Sequence, residues 1–382
     1  MSLFLLTFLL LYGGTHLYLF LKVKWALAPG ILSSSALAIF LLLMTVSPIL
    51  VRVLEKEGLE VSARVAAYAG YLWMGFLFLF FSLSLVFDLY HGLLHAAAFI
   101  SRRDLSSFIL SRRLTLALPL AYAILTTVYG YFEALNIRTE RISVATPKIP
   151  SGIGRLTIVQ ISDLHLGLIV RKERLERVLA QVRRASPDIL VSTGDLVDGQ
   201  INRMNGLAEL LSGIRPRYGK FAVTGNHEFY AGLGEALAFT ERGGFTVLRG
   251  ESVVAGGLIN IAGVDDPVIR RADRQPPVSE RRLLGGLDRD RFTLFLKHRP
   301  AIERESLGLF DMQLSGHVHK GQIFPFNLVT HLFYPVKSGY SSLPQGSSLY
   351  VSRGTGTWGP PIRFLAPPEV TVIELTHTDK GG

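Results

Sequence analysis

Acidic, amide and histidine side chains follow several apolar runs of this chain at the point where each run ends. Residues 157–165 read Thr-Ile-Val-Gln-Ile-Ser-Asp-Leu-His, so Asp163 and His165 close a run of strand-forming residues. Side chains two positions apart on an extended backbone lie on the same face, so this pair could grip one metal ion. Taken alone, Asp-x-His is a weak signal, because such residues meet by chance in many loops.

The same pattern recurs at four later places, which makes the combined signal strong. The side chains that close these later runs are Asp195, Asn226, His227, His298, His317 and His319. In open α/β sheets, ligands gather outside the carboxyl ends of the strands. Seven side chains of types that bind metals fall at such ends, and we expect them to meet at one edge of a sheet. They are Asp163, His165, Asp195, Asn226, His298, His317 and His319.

This set of residue types suits the hydrolysis of a phosphoester. Such an ester resists attack because its oxygens are negatively charged and water is a poor nucleophile. Two cations roughly 3.5–4 Å apart would neutralise the phosphate and lower the pKa of a water between them. A carboxylate shared by both ions is needed, and Asp195 is the natural candidate. Imidazole, carboxylate and amide ligands suit manganese, iron, zinc or cobalt better than magnesium or calcium. We expect two divalent ions, with manganese preferred.

The elements that position these side chains follow from the apolar pattern. Continuous apolar runs predict buried strands, and the spacing of Leu175, Val178, Leu179 and Val182 predicts an amphipathic helix between two of them. Strands that alternate with helices indicate a layered α/β architecture. The chain has no cysteine, which excludes disulfides, thiolate zinc sites and cysteine nucleophiles.

Five motif blocks together resemble the calcineurin-like metallophosphoesterase superfamily, and they occur in that family's order. The blocks are Asp163-x-His165, Gly194-Asp195-x-x-Asp198, Gly225-Asn226-His227-Glu228, a lone His298 and Gly316-His317-x-His319. The resemblance covers residues 156–375 and implies a four-layer αββα sandwich. It also implies the ligand sets: Asp163, His165, Asp195 and His319 for one ion, and Asp195, Asn226, His298 and His317 for the other. By the same resemblance His227 is catalytic, stabilising the transition state or protonating the leaving oxygen, and Asn226 and Asp195 serve beside it.

Four long apolar stretches in the first third of the chain predict a four-helix transmembrane domain. Residues 3–21, 31–51, 65–87 and 114–132 are almost free of charge, and each is close to the ~20 residues that span a bilayer as a helix. We therefore predict a transmembrane domain at 1–135, a linker at 136–154 and the metallophosphoesterase domain at 155–382. The competing interpretation, four buried helices of a large soluble core, would require four long uncharged stretches in a row.

Charge and topology suggest the partners. The net charge is +10, which suits anionic lipid headgroups or phosphorylated substrates better than nucleic acid in a membrane protein. We expect the lipid bilayer and a phosphorylated lipid or small phosphoester as partners, and no nucleic acid or obligate protein partner. The predicted location is the cell (inner) membrane, with several spans. The loops on the two sides of the membrane carry nearly equal numbers of basic residues. The comparison slightly favours a cytoplasmic 102–113 loop and an extracytoplasmic catalytic domain.

Several features have a structural as well as a functional interpretation. Asp198 and Glu228 fit an orienting role better than ligation, and Asp265 and Asp266 suit a turn as well as a site. The basic loop 269–282 could bind a second phosphate or an anionic surface, or could simply be solvated. The apolar segment 324–335 would contact lipid if exposed, although buried packing is the favoured interpretation. His91 and His95 are explained by helix capping more readily than by metal binding.

These observations predict a membrane-anchored, metal-dependent phosphoric ester or diphosphate hydrolase. The branch of the superfamily that it resembles, membrane-attached and bacterial, includes cell-envelope phosphodiesterases and enzymes that split the diphosphate of a UDP-diacylglucosamine lipid. The expected substrate is therefore an envelope lipid or its precursor. One alternative is a tethered phosphatase or nucleotidase that acts on soluble phosphoesters. The other is a membrane scaffold or transport protein whose metal domain is regulatory.

Overall fold

The computed structural model describes residues 3–199, 204, 206–268, 278–336 and 338–379. The chain divides into two compact units. Unit 1 contains residues 1–132 and 359–362, and unit 2 contains residues 133–358 and 363–382.

Unit 1 is built from four long apolar helices. These are α1 (Leu3–Leu27), α2 (Ile31–Lys56), α3 (Glu60–Ser101) and α4 (Arg112–Glu133). All four are long and apolar enough to cross a membrane, as the sequence predicts. The third runs for 42 residues, well beyond the span predicted at 65–87. Pro48 and Pro119 lie inside α2 and α4, where a helix in a bundle tolerates proline.

Polar side chains join α1 to α3. Trp73 Nε1 donates to His16 Nε2 over 2.9 Å, and the buried Lys22 ammonium pairs with Asp88 at 2.6 Å. Such pairs act as interhelical contacts where the surroundings are apolar. Within α3, His91 Nε2 accepts a hydrogen bond from the backbone nitrogen of Leu110, just before α4 begins.

Unit 2 contains two six-stranded sheets. The first has the order β1 (Arg138–Thr146), β12 (Glu369–His377), β2 (Arg155–Ile161), β3 (Ile189–Ser192), β4 (Lys220–Ala222) and β5 (Thr246–Val247). The second has the order β10 (Gly339–Ser342), β11 (Ser348–Val351), β9 (Met312–Ser315), β8 (Phe292–Leu296), β7 (Ile259–Gly263) and β6 (Glu251–Ala255). Strands β2 to β5 are parallel, as are β7, β8, β9 and β11.

The two sheets bury their inner faces against each other. Ile158 and Val191 of the first sheet belong to one apolar cluster with Ile261, Leu294 and Leu314 of the second. Strands that are covered on both sides read as continuous apolar runs, which explains the pattern seen in the sequence.

Helices cover the outer faces and complete four layers. On the first sheet lie α5 (Lys172–Ala185), α6 (Leu207–Ser212) and α8 (Leu233–Arg242), and α7 (Asn226–Ala231) precedes α8. On the second sheet lies α9 (Glu280–Gly285), whose Leu284 packs on Phe295. A further helix, α10 (Phe326–Phe333), follows β9. The predicted αββα architecture with four apolar helices before it is confirmed.

Part of the predicted 136–154 linker is a strand. Residues 138–146 form β1, which pairs in parallel with β12 at the edge of the first sheet. The linker interpretation was wrong there because β1 is an edge strand with exposed charged side chains, such as Arg138 and Arg141. These side chains and the nearby prolines give it a linker's composition.

Candidate active site

The predicted ligands lie on the loops that leave five strands. Asp163 and His165 follow β2, Asp195 follows β3, Asn226 follows β4, His298 follows β8, and His317 and His319 follow β9. Asp163, His165, Asp195, His317 and His319 all have φ between 48° and 71°. Side chains other than glycine seldom adopt this left-handed conformation, and when they do they cluster at functional sites.

One group of candidate ligands consists of Asp163, His165 and His319, all buried. His319 Nε2 lies 3.4 Å from Asp163 Oδ1 and 3.2 Å from His165 Nε2. The backbone nitrogen of His317 donates to Asp163 Oδ1 at 2.8 Å and so fixes the carboxylate. Gly316 allows this approach, because a Cβ there would lie 2.1 Å from Asp163 Oδ2.

A second group consists of Asp195, His298 and His317, and Asp195 also lies near His165 of the first group. His298 Nε2 lies 3.1 Å from both Asp195 Oδ2 and His317 Nδ1. The same oxygen of Asp195 is 3.9 Å from His165 Nε2. Asp195 therefore stands between the two groups, which is the position that a carboxylate shared by two ions requires.

The side-chain oxygen of Asn226 is available to a cation. Its Oδ1 is buried and accepts no hydrogen bond within the described residues. The buried His165 Nδ1 also has no hydrogen-bond partner among them. A buried polar atom without a partner costs free energy. An ion at this position would satisfy the amide oxygen, so the residues present fit the divalent metal that this chemistry needs.

The hydrogen-bond partner of His298 fixes which of its nitrogens faces the site. Its Nδ1 donates to the carbonyl of Thr193 at 2.8 Å, which leaves Nε2 directed at Asp195. Burial works against protonation of this ring, but the charge of Asp195 and its contact with Nε2 outweigh it and raise the pKa of His298 to about 10. The same carboxylate that attracts a proton here would attract a metal ion.

The pKa values of the other candidate histidine ligands are lowered, which favours the neutral ring. Burial, and then the charge of His227, lower the pKa of His165 to about 4. Burial, and then the charge of His298, lower the pKa of His317 to about 3. Burial and the nearby Arg363 guanidinium hold the pKa of His319 well below its usual value. Neutral imidazole is the form that binds metals.

His227 differs from the ligands in its environment. Its Nδ1 lies 2.8 Å from Asp198 Oδ1, so Nε2 is the nitrogen that remains for a substrate. Burial disfavours the charged ring, yet the charge of Asp195 and the hydrogen bond and charge of Asp198 raise the pKa of His227 to about 9. His227 also lies close enough to His165 and Asp195 to join them around an ion. A ring whose pKa is raised by two carboxylates and whose Nδ1 contacts one of them suits an acid better than a ligand.

Glu228 holds two of the site loops together. Its carboxylate accepts hydrogen bonds from the backbone nitrogens of Gly225, Leu196 and Asp195, at 2.6, 2.7 and 3.1 Å. Burial, and then the charge of Asp195, raise the pKa of Glu228 to about 7. These contacts fit the orienting role that the sequence suggests for Glu228.

Comparison with known proteins identifies the family. The family described as Calcineurin-like phosphoesterase matches residues 156–321. Over 254 residues the chain is 39% identical to an uncharacterized metallophosphoesterase of Aquifex aeolicus, a match that covers 66% of this chain and 97% of that protein. The chain belongs to the calcineurin-like phosphoesterase family.

Other metallophosphoesterases match a similar part of the chain. Identity is 33% over 266 residues with the uncharacterized metallophosphoesterase YkuE of Bacillus subtilis, covering 66% of this chain and 91% of that one. Identity is 30% over 276 residues with a protein of Danio rerio named transmembrane protein with metallophosphoesterase domain, covering 68% of this chain and 62% of that protein. The chain is thus a phosphoesterase of a metal-dependent family, and it has clustered histidine and aspartate side chains that could hold a metal ion.

Sequence reasoning missed Arg363, a fully buried residue that contacts His319 in the loop after β9. Its guanidinium donates to the carbonyl oxygens of Arg353 at 2.6 Å and His319 at 3.2 Å, and it also lies 3.1 Å from His319 Nδ1. Burial lowers its pKa to about 9. The Gly-Pro-Pro sequence before Arg363 does not indicate that this residue supports His319. The two residues are 44 positions apart, so no local pattern connects them.

We expect Arg363→Lys to weaken manganese binding by about 10- to 100-fold, the usual effect of losing a residue that orients a metal ligand. Lysine keeps the charge but cannot donate to several carbonyls at once. Calorimetric titration of the metal-free protein with Mn²⁺ measures the effect. The matched control is Lys220→Met, since Lys220 is a buried cation that donates to the carbonyls of Leu211 and Gly243 at the opposite end of β4. Equal affinity in wild type and Arg363→Lys would contradict the prediction.

The remaining candidates have structural contacts. Asp265 accepts from Thr224 Oγ1 at 2.7 Å, and the Asp266 carboxylate pairs with Arg299 at 2.6 Å. Residues 269–277 of the basic loop lie outside the described part of the chain, and Arg281 and Arg282 are exposed on α9. The favoured interpretation of segment 324–335 was wrong: α10 has no buried residue. The run looks like core in the sequence because its apolar density is that of a buried helix.

Proposed function

We propose that this protein hydrolyses a phosphodiester or diphosphate bond of a membrane lipid or lipid precursor, with two divalent ions, preferably manganese, at its site. The observation that supports this most is the placement of Asp195 between two groups of candidate ligands. Asp163, His165, Asp195 and His319 would hold one ion, and Asp195, Asn226, His298 and His317 the other. Bound ions supply charge that offsets the phosphate and activates water.

The chain's own residues supply positioning and a proton. Asp198 keeps the His227 ring in place, and the backbone nitrogen of His227 donates to Asp195 Oδ1 at 2.8 Å. Asp195 and Asp198 favour the protonated ring of His227 and raise its pKa, so its Nε2–H can donate to a phosphate oxygen and protonate the leaving oxygen. Glu228 fixes the Asp195 loop relative to the Asn226 loop, so the geometry is set before substrate arrives.

The lipid substrate is supported by the four apolar helices on the same chain. Helices of this length and composition would tie the phosphoesterase unit to a bilayer, where it would meet the phosphoesters of lipids. The helices belong to a multi-pass protein that we place in the inner membrane, with its catalytic unit on the extracytoplasmic side. The basic residues of the loops are divided almost evenly between the two sides of the bilayer. The proposed orientation therefore depends on the dense basic loop 102–113, which we place in the cytoplasm.

Hydrolysis by the purified full-length protein with added Mn²⁺ tests the function. The substrates are an aryl phosphodiester, the matching monoester and a lipid diphosphate. We expect turnover of the lipid that EDTA abolishes, and a loss of about a hundredfold or more in His227→Ala, in line with general acid catalysis. Asn226→Ala is expected to lose turnover and to require more Mn²⁺. The control is His377→Ala, a histidine of β12 that contacts the carbonyl of Ile149 outside the metal groups.

The possible results separate the candidate functions. Faster turnover of the soluble monoester than of the lipid would favour a tethered phosphatase or nucleotidase. No turnover of any substrate by folded, manganese-loaded protein would contradict the enzyme's proposed chemistry and favour a scaffold or transport role. Losses in Asn226→Ala and His227→Ala without a loss in His377→Ala would locate the chemistry at this site.

A further inference from the structure

Helix α10 carries its apolar side chains on the side that faces away from the protein. Asn327, Thr330 and the following Tyr334 lie at helical spacing and are half-buried. The exposed residues include Phe326, Leu328, Val329, Leu332 and Phe333. Leu332 is 80% exposed and Phe333 is 73% exposed. A surface helix in water has the opposite arrangement, with polar residues outward. An exposed apolar patch of this kind marks an interaction surface.

Helix α10 packs against the loop that carries His317 and His319. Asn327 packs on Gly321, two residues after His319, so closely that a Cβ on Gly321 would lie 2.5 Å from Asn327 Cα. At the other end of the helix, the ring of Tyr334 lies edge-on to His317, with centroids 5.5 Å apart. Whatever the apolar face of α10 binds is therefore held at a set position relative to the site.

Two exposed aromatic residues lie on the other side of the site. Trp358 is 52% exposed and Tyr230 is 66% exposed. Their rings lie edge-on to His227, at 6.1 and 5.5 Å between centroids. Tryptophan and tyrosine favour the headgroup level of a membrane, and an apolar helix face beside them favours the boundary with the acyl chains. Lys320, next to His319, adds a cation suited to anionic headgroups.

We propose that α10 inserts its apolar face into the surface of the bilayer that holds the four spans, so that the metal site lies at headgroup level. The occupant is lipid because the four apolar helices of the same chain are long enough to cross a bilayer, and the site between α10 and His227 carries two exposed aromatic residues of the kind that favour headgroups. The inference deepens the proposed function, and its consequence for substrate choice rests on that function. A phosphate of a lipid would reach the site without leaving the membrane, whereas a soluble phosphoester would gain nothing from α10.

Site-directed labelling tests the insertion directly. The chain has no cysteine, so Leu332→Cys and Val254→Cys each give one labelling position. Val254, on β6, is 48% exposed and serves as the matched apolar control. The full-length variants are labelled with a polarity-sensitive fluorophore and reconstituted into phosphatidylethanolamine–phosphatidylglycerol vesicles. We expect the label at 332 to shift its emission to the blue and to be quenched by doxyl-labelled lipids. The label at 254 should show neither change and should be quenched by iodide.

Three outcomes would be informative. Quenching of the 332 label by aqueous iodide and not by doxyl lipids would overturn the insertion. Protection from both quenchers would overturn it as well, because protein and not lipid would cover α10. In a parallel assay, the Leu332→Ser/Phe333→Ser variant should lower the ratio of vesicle-lipid turnover to soluble-diester turnover, relative to Val254→Ser. An inserted helix with an unchanged ratio would uphold the insertion and overturn the lipid substrate, so the two failures can be told apart.

Discussion

Asp195→Asn is expected to lower turnover of an aryl phosphodiester by more than about a thousandfold. A single preorganised electrostatic group is worth about 10²–10³ in rate, and Asp195 serves both groups of candidate ligands. Its Oδ2 lies 3.1 Å from His298 Nε2 and 3.9 Å from His165 Nε2. The amide removes one negative charge from the centre of the site, where burial makes charge most effective. Steady-state kinetics over a range of Mn²⁺ concentrations, together with calorimetric counting of bound ions, measure the result.

The substitution is nearly isosteric, so the fold should survive it. The amide oxygen can still accept from the backbone nitrogen of His227, as Asp195 Oδ1 does at 2.8 Å. The matched control is Asp265→Asn, a carboxylate that follows β7 and pairs with Arg249. We expect the control to keep most of the activity and the full number of bound ions. Activity retained in Asp195→Asn would contradict a shared ligand and would favour a regulatory metal domain.

The site could be predicted from the sequence because each ligand directly follows a strand. Parallel buried strands bring their carboxyl ends to one edge, so side chains such as Asp163 and His319, far apart in the chain, meet without any knowledge of loop geometry. The structure brings six of the seven predicted ligands into its groups of histidine and carboxylate side chains, and it leaves the seventh, Asn226, with a buried oxygen that has no partner within the described residues. The assignment of each residue to an ion stays a prediction.

Other features depend on tertiary context that no local pattern carries. The edge strand β1 begins Arg-Thr-Glu-Arg and has no buried residue before Thr146, so its composition matches a linker until β12, more than 200 residues later, supplies its partner. The direction in which α10 faces cannot be read from its composition, because an apolar helix is equally compatible with a core and with a lipid surface. Arg363 contacts backbone carbonyls, which have no residue-specific signature.

Glu280→Ala is expected to destabilise unit 2 by about 3–5 kcal/mol, the usual cost of leaving one member of a buried ion pair behind. Glu280, at the start of α9, pairs with the ammonium of Lys297 at the end of β8, and both are more than nine-tenths buried. The loss corresponds to a fall in melting temperature of roughly 6–20 °C for a unit of this size. Calorimetry of the full-length protein measures it. The transition of unit 2 is the one that added Mn²⁺ shifts upward, since an ion that binds only the folded state stabilises it.

The double variant Glu280→Leu/Lys297→Met decides what the pair contributes. Breaking one side leaves an uncompensated charge, whereas replacing both sides with apolar residues of similar size is often neutral or stabilising by about 1–4 kcal/mol. We therefore expect the double variant to recover the melting temperature of the wild type. Because Lys297 immediately precedes His298, the Mn²⁺ affinity of the double variant then shows whether the pair also positions a ligand. A double variant as unstable as Glu280→Ala would mean that the stability comes from the pair itself and not from avoiding a lone buried charge.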